Sequence, residues 1–511
     1  MPCPKLGPGL EYASFSGTDV QVTSSASNQS RSESVVVVNP TNAKNLICAS
    51  KKFIDPVKYH FTISTSFSFN GGLTWTESVP ALQPGWDGMS DPDLTFDALG
   101  NAYLIVEPIT FGPTDIAGTG MYVFKSTDGG QVWGTPVLLH LDSADDKQWI
   151  EADTNPASPH LGAVYAVWGA NTPLRFARSV DQGVTWKGMG AWPAGADVGF
   201  QTCFGPSITI GPDGTIHVMW HYPGTTEIMY TQSTDGGDTF SAVTAVVSGV
   251  SSLSTFLPNI DGFFHFPNGT FRVYTIVTSS VAAGNKLIVA WADFREGVSR
   301  IYYRIASGGG ATWLGPASGQ PLLPSYGHPD QQHFHPQLSE AGNDAIGCAF
   351  YEYGPKDTKL LIDVLVSYSC SDGTSFGNPL TVTDDPWDPA VNAPLSHGIS
   401  GITFIGEYFG FFGSQDWFAV VWTDTRTGVQ ELFYDRVRIK AVLSTPSILG
   451  DLEVAVILAG VIQDGGGLVF VGGKIIRIPP YNPWIFVLRA AVAINSVIAT
   501  IGRAIGSIAR R

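Results

Sequence analysis

Short runs of alternating apolar and polar residues, separated by Gly, Asp, Asn and Ser clusters, fill most of this chain. DPDLTFD from Asp91, NAYLIVE ending at Glu107 and MYVFKS ending at Ser126 carry β-branched or aromatic residues at every second position. That period predicts half-buried strands. The runs come in groups of two or three, and six groups end in one phrase, Ser-x-Asp-x-Gly-x-Thr-Trp. Its copies are SFNGGLTW (68–75), STDGGQVW (126–133), SVDQGVTW (179–186), STDGGDTF (233–240), ASGGGATW (306–313) and SCSDGTSF (369–376).

The fifth position is Gly in all six copies, as a turn with positive φ requires. Asp128, Asp181 and Asp235 are placed to accept backbone N–H groups and close the turn. Asn70, Gly308 and Ser371 stand at that position in the other copies, which predicts weaker clasps. The last position is always aromatic, a ring able to bury a large area between neighbouring sheets. A strand-flanked repeat of this period predicts a β-propeller. The phrase resembles the Asp-box, or bacterial neuraminidase repeat, of the sialidase-like propellers. That resemblance places the boxes on the turn between third and fourth strands, away from the ligand face.

Innermost strands are predicted to begin near Glu33, Asp91, Asp146, Phe204, Pro258, Phe334 and Ile405. Seven blades are therefore favoured, with six as the alternative. The last group (GEYFGFF, WFAVVWTD, ELFYDRV) lacks a box, and the N-terminal run DVQVTSSA is expected to supply its outer strand and remove the open edges. The propeller is assigned to residues 1–440, a short β-rich Gly/Pro segment to 441–482, and an amphipathic helix to 483–511. In that helix Val487, Ala491, Ile494, Ile498, Ile501, Ile505 and Ile508 form a heptad seam, which points to a homo-oligomer or larger assembly. A membrane-surface helix with its basic end at Arg503, Arg510 and Arg511, and a tail packed on the propeller, are the rival readings.

Charge narrows the partners. A net charge of −16 and a pI near 4.9 argue against nucleic acid. The five cysteines lack CxxC spacing and predict neither a zinc site nor a disulfide scaffold. No ordinary signal peptide is recognisable in MPCPKLGPGLEY, yet the Ser-, Thr-, Gly- and Asn-rich composition resembles an extracellular surface, so an extracellular or surface location is expected.

Candidate chemistry belongs to the loops that ring the central funnel. Asp91, Asp146, Glu407 and Tyr408 are the catalytic candidates; Arg31, Arg295 and Arg426 are the candidates for holding an acidic sugar. WADFR (Trp291–Arg295) and WTDTR (Trp422–Arg426) place Asp and Arg two apart, a spacing that also suits a bracing fork. The family resemblance implies an arginine triad, an Arg-Ile-Pro motif in the first blade, a Tyr/Glu nucleophile pair and an Asp acid. This chain departs from it: the first inner strand, SRSESVVVVNP, has Arg31 without that motif, and Arg477-Ile478-Pro479 lies in the tail. No cofactor is expected apart from a calcium reading of Asp384, Asp385 and Asp388. His328, His333 and His335 suggest a zinc or copper reading, the last two sharing one strand face. Two functions stay open: a propeller recognising glycan or glycoprotein, and an exo-acting glycoside hydrolase using funnel carboxylates.

Overall fold

The computed structural model describes residues 10–342, 345–370, 372–443, 467–471 and 474–478. Within them the chain is all-β apart from single helical turns. Antiparallel sheets follow one another along the sequence, opened by Arg31–Val38, Gly88–Phe96, Trp149–Ala152, Thr278–Ala282, Gln332–Glu340 and Gly410–Ser414. Ala196–Ile210 starts a further unit but stays hydrogen-bonded to the preceding strand Ala170–Ser179, so two units merge into one sheet. All these opening strands touch in cyclic order, the last against the first. They enclose an axial cavity of about 160 Å³, lined by side chains such as Thr95, Glu151, Ser207, Ser280 and Gln337. The result is the propeller-like ring that the repeats predict.

The opening strand expected near Pro258 begins at Thr278 instead. Leu257 to Val277 is loop, in which Asn259–Ile260 pairs only with Phe263–Phe264 across a tight turn at Asp261 and Gly262. Ring closure uses two N-terminal pieces. Glu431–Leu443 pairs with Trp417–Asp424 on one edge and with Leu10–Phe15 and Val20–Gln21 on the other. Of the run expected to close the ring, Val20 and Gln21 pair, and Val22 N–H bonds Leu432 O at 2.8 Å.

The repeated turns hold as their chemistry dictates. Gly130, Gly183 and Gly237 donate N–H to Ser126, Ser179 and Ser233 Oγ at 3.0, 2.8 and 2.8 Å, while Val132, Thr185 and Thr239 donate to Asp128, Asp181 and Asp235. Asn70 takes the same place in the first copy, accepting Thr74 N–H at 3.0 Å. Each aromatic closes the gap to the sheet before it. Trp75 meets Tyr434 at 5.4 Å between centroids, Phe240 meets Phe176 at 4.9 Å, Trp313 meets Tyr230 at 5.7 Å and Phe376 meets Tyr303 at 5.2 Å. The Trp75–Tyr434 contact joins the first sheet to the last and seals the ring.

Cys48, Cys203 and Cys348 are buried free thiols, and Cys370 is disulfide-bonded. Of the 441–482 segment, Gly467–Val471 and Lys474–Ile478 form an antiparallel hairpin. The helix expected over 483–511 lies outside the described residues. Among the described residues no helix is long and apolar enough to cross a membrane.

Candidate functional site

A second repeat, invisible as a motif, builds the mouth of the ring. The register slips between Ser32 and Val35, Ser90 and Asp93, Phe204 and Ser207, and Phe334 and Gln337, a bulge in four of the opening strands. The residue after the first named one is left-handed in every case: Glu33 (φ 52°), Asp91 (φ 47°), Gly205 (φ 56°) and His335 (φ 49°). Lys147, just before the third opening strand, is left-handed too (φ 60°). A bulge of this kind re-aims a side chain out of the ladder, at a conformational cost for any residue but Gly. Here Glu33, Asp91 and Lys147 meet in one charged chain.

That chain alternates in sign. Lys51 Nζ lies 2.5 Å from both Glu33 and Asp91; Lys147 Nζ lies 3.0 Å from Asp91 and 2.7 Å from Glu407; Arg272 Nε lies 3.0 Å from Glu407. All six side chains are at most 10% exposed. Three cations face three carboxylates, which is the arrangement that lets charges persist away from water. Burial alone would raise Asp91 and Glu407, but Lys147 and Lys51 hold Asp91 well below the usual carboxylate range, and Arg272 and Lys147 bring Glu407 down to about 2. Asp146 and Glu107 go the other way. Burial pushes Asp146 up to about 6, with Asp91 adding to the rise against Lys147, and lifts Glu107 well above its ordinary value. Burial and Asp91 bring Glu33 to about 7. The mouth thus holds neighbouring carboxyls of opposed proton affinity, the condition for separate acid and base roles.

A roof covers much of this cluster. Leu395 N–H bonds Pro56 O at 2.9 Å, Arg272 N–H bonds Thr403 O at 3.0 Å, and Arg272 Nη1 reaches Ser396 Oγ at 3.2 Å. Two long loops, around 257–277 and 382–409, are therefore stitched across the mouth. His397 is stacked between Tyr59 (4.6 Å) and Phe263 (4.8 Å) and reaches Asp115 at 2.7 Å; Phe404 lies under the Arg272 guanidinium at 4.2 Å. What stays half-open is the margin at Asp146, Lys147, Phe204, Phe264 and Tyr274. Tyr274 packs at a tilt on Phe204 (5.8 Å) and edge-on to Phe264 (5.9 Å), and its hydroxyl feels Glu407, Arg272 and Lys147.

Of the catalytic candidates, the structure brings Asp91, Asp146 and Glu407 together. Tyr408 turns away into the apolar packing against Trp149 (5.1 Å), with its hydroxyl 3.4 Å from Pro92 O, and burial raises its pKa well above 10. Consecutive residues on extended backbone point to opposite sides. The three candidate arginines do not share partners. Arg31 is fully buried against Glu77 (2.9 Å) and the carbonyl of Gln29 (2.8 Å). Arg295 forks onto Asp293 at 2.8 and 2.5 Å over the Tyr302 ring. Arg426 is held by Asp424 (2.5 Å) and Asp19 (2.7 Å). All three brace loops, and the arginine at the mouth is Arg272.

The His333–His335 pair is likewise split by its bulge. His333 Nε2 donates to Glu352 at 3.1 Å, while His335 faces Glu407 and Arg272. Asp384 accepts Asp19 N–H at 3.2 Å, a contact with the N-terminal segment, and Asp388 accepts Ala390 N–H within its own turn. Among the described residues no three His, Cys, Asp or Glu side chains are grouped to hold a metal. Lys51, Arg272 and Tyr274 were missed in the sequence. A lone charge inside an apolar run, as in LICASKKF or FRVY, was the available signal.

No protein-family model matches the chain, and no curated protein does. Among solved structures it is similar to a protein of unknown function from Dyadobacter fermentans, with 15% identity and a TM-score of 0.42 over 70% of this chain and 99% of that one. It is also similar to the NanB sialidase of Streptococcus pneumoniae, at 12% identity and TM-score 0.41, covering 66% and 67% of the two chains. The α-L-arabinofuranosidase of Fusarium graminearum gives 12% identity and TM-score 0.36 over 68% and 93%.

Proposed function

We propose that the protein is a seven-bladed propeller that recognises a glycan or glycoprotein at the half-open margin of its mouth, outside the cell. One observation carries this reading: half-buried rings of Phe204, Phe264 and Tyr274 stand together at the margin, with the charges of Glu407, Arg272 and Lys147 acting on the Tyr274 hydroxyl. Sugars offer an apolar face for such rings and hydroxyls for such groups, and concave sites of mixed character are where ligands bind. Display on an assembly or surface through residues 483–511 belongs to the same proposal, supported by the heptad seam.

Glycoside hydrolysis is the second reading, favoured by the opposed proton affinities of Asp146 and Asp91. A protonated Asp146 would donate to a leaving oxygen while Asp91 or Glu407 stays anionic. A glycan array with wild type and Tyr274→Ala, followed by an aryl-glycoside panel with Asp146→Asn, separates the readings. Binding lost in Tyr274→Ala without turnover supports recognition. Turnover abolished by Asp146→Asn supports hydrolysis, and neither binding nor turnover rejects both.

A further inference from the structure

The cavity between the Arg300–Ser307 strand and the loop Pro321–Gly327 has about 180 Å³ of space, enough for one sugar-sized molecule, and shares no residue with the mouth. We infer that it is a second ligand site, for a small hydroxy-carboxylate of uronic-acid size.

Its lining residue Arg300 is singular. Among the described residues, the other buried cations (Arg31, Lys51, Arg175, Arg178 and Arg272) each have an Asp or Glu oxygen within ion-pair distance, and Arg300 has none. Its Nη1 donates to Ser299 O at 3.0 Å and Gln331 O at 2.6 Å, and its Nη2 to His328 O at 3.0 Å. Carbonyl dipoles orient the guanidinium and leave its Nε–H and a second Nη2–H unused. Burial lowers its pKa, and Glu296 and Glu352 offset only part of that. A ligand carboxylate supplies that charge in a geometry the guanidinium fork matches.

The hydroxyl requirement comes from His333. Its Nε2 faces the Glu352 carboxylate at 3.1 Å, so Nε2 carries the hydrogen and Nδ1 carries a lone pair. Nδ1 has no protein hydrogen bond among the described residues, and His333 lines the cavity with Tyr326 stacked beside it (6.0 Å). An acceptor in that position selects a ligand O–H. Two acids stand near, of which Glu296 also lines the cavity. Glu352 is met by Lys356 at 2.8 Å, and Glu296, exposed at the rim, accepts the Tyr302 hydroxyl at 2.7 Å. Ile301, Leu322 and Leu323 supply the apolar wall.

The test is calorimetric titration of the full-length protein with sodium glucuronate, glucose and acetate. Saturable binding of glucuronate is expected, weaker binding of acetate and none of glucose. Arg300→Gln should weaken glucuronate at least about tenfold. Because Arg300 also holds the loop, Leu323→Trp is the companion variant: it fills the cavity and leaves the Arg300 hydrogen bonds in place, and it should abolish binding. Undiminished affinity in Leu323→Trp would put the ligand elsewhere and overturn the assignment. So would glucose binding as well as glucuronate, or no saturable binding of glucuronate at tens of millimolar.

Discussion

Lys147 Nζ rests 2.7 Å from the Glu407 carboxylate, tying the segment that leads into the third opening strand to the loop that leads into the last. The sequence separates these residues by most of the ring, and only closure of the propeller brings them together. Their contact is therefore a reporter of closure as well as part of the mouth.

Removing the carboxylate from that contact should be severe. Glu407→Gln leaves Lys147 and Arg272 buried with less counter-charge, and breaking one partner of a buried pair costs about 3–5 kcal/mol. Urea unfolding should show a lower midpoint with the slope unchanged. A midpoint within error of wild type would mean the network does not hold the ring.

Stability should fall as pH rises from about 5 to 8. Burial gives Asp146, Glu33 and Glu151 folded-state pKa values of about 6, 7 and 8, against ordinary values of 3.8, 4.5 and 4.5. The folded chain then binds more protons than the unfolded one across that window, so their contribution is complete below the ordinary values and lost as pH climbs through the raised ones. Glu407 has the opposite sign: its contribution is present above pH 4.5 and lost toward pH 2. Melting temperatures from pH 3 to 9 should peak near pH 5, and Glu151→Gln should flatten the alkaline limb.

Tyr408→Phe and Tyr274→Phe should part company. The Tyr408 hydroxyl is buried in the core with one long contact to Pro92 O, whereas Tyr274 stands half-buried at the open margin. Glycan binding, or turnover if a substrate is found, should survive the first change and drop severalfold in the second. The reverse order would return the site to Tyr408, one of the catalytic candidates of the sequence.

A box glycine offers a structural check. Gly72 has φ 88°, and an added Cβ would sit 2.1 Å from the Tyr434 ring that seals the ring. Gly72→Ala should cost on the order of 2 kcal/mol or more, read as a fall in melting temperature. An unchanged melting temperature would show that the first and last sheets can part there freely.

The scaffold was legible because its turns repeat in residue type: Gly at the pivot and an aromatic at the end need no knowledge of the fold. The mouth was legible only in part. Glu33, Asp91, Lys147, Gly205 and His335 share a backbone conformation but no chemistry, so no motif announces them. Asp146 and Glu407 could be named because they fall at predicted loop ends. Lys51 and Arg272 could not, since which face of their segments meets the axis depends on how the ring closes and what roofs it. Arg295 and Arg426 each engage the Asp two residues away, the bracing fork that the WADFR and WTDTR spacing also offers.

The N-terminal strands that pair with Glu431–Leu443 set a timetable for synthesis. A nascent chain emerging from the ribosome carries Leu10–Phe15 unmated until its partner, hundreds of residues later, is translated. Nascent chains halted before Glu431 would keep two raw edges available to neighbours, and release of the final sheet would be the event that turns a sticky intermediate into a self-contained particle.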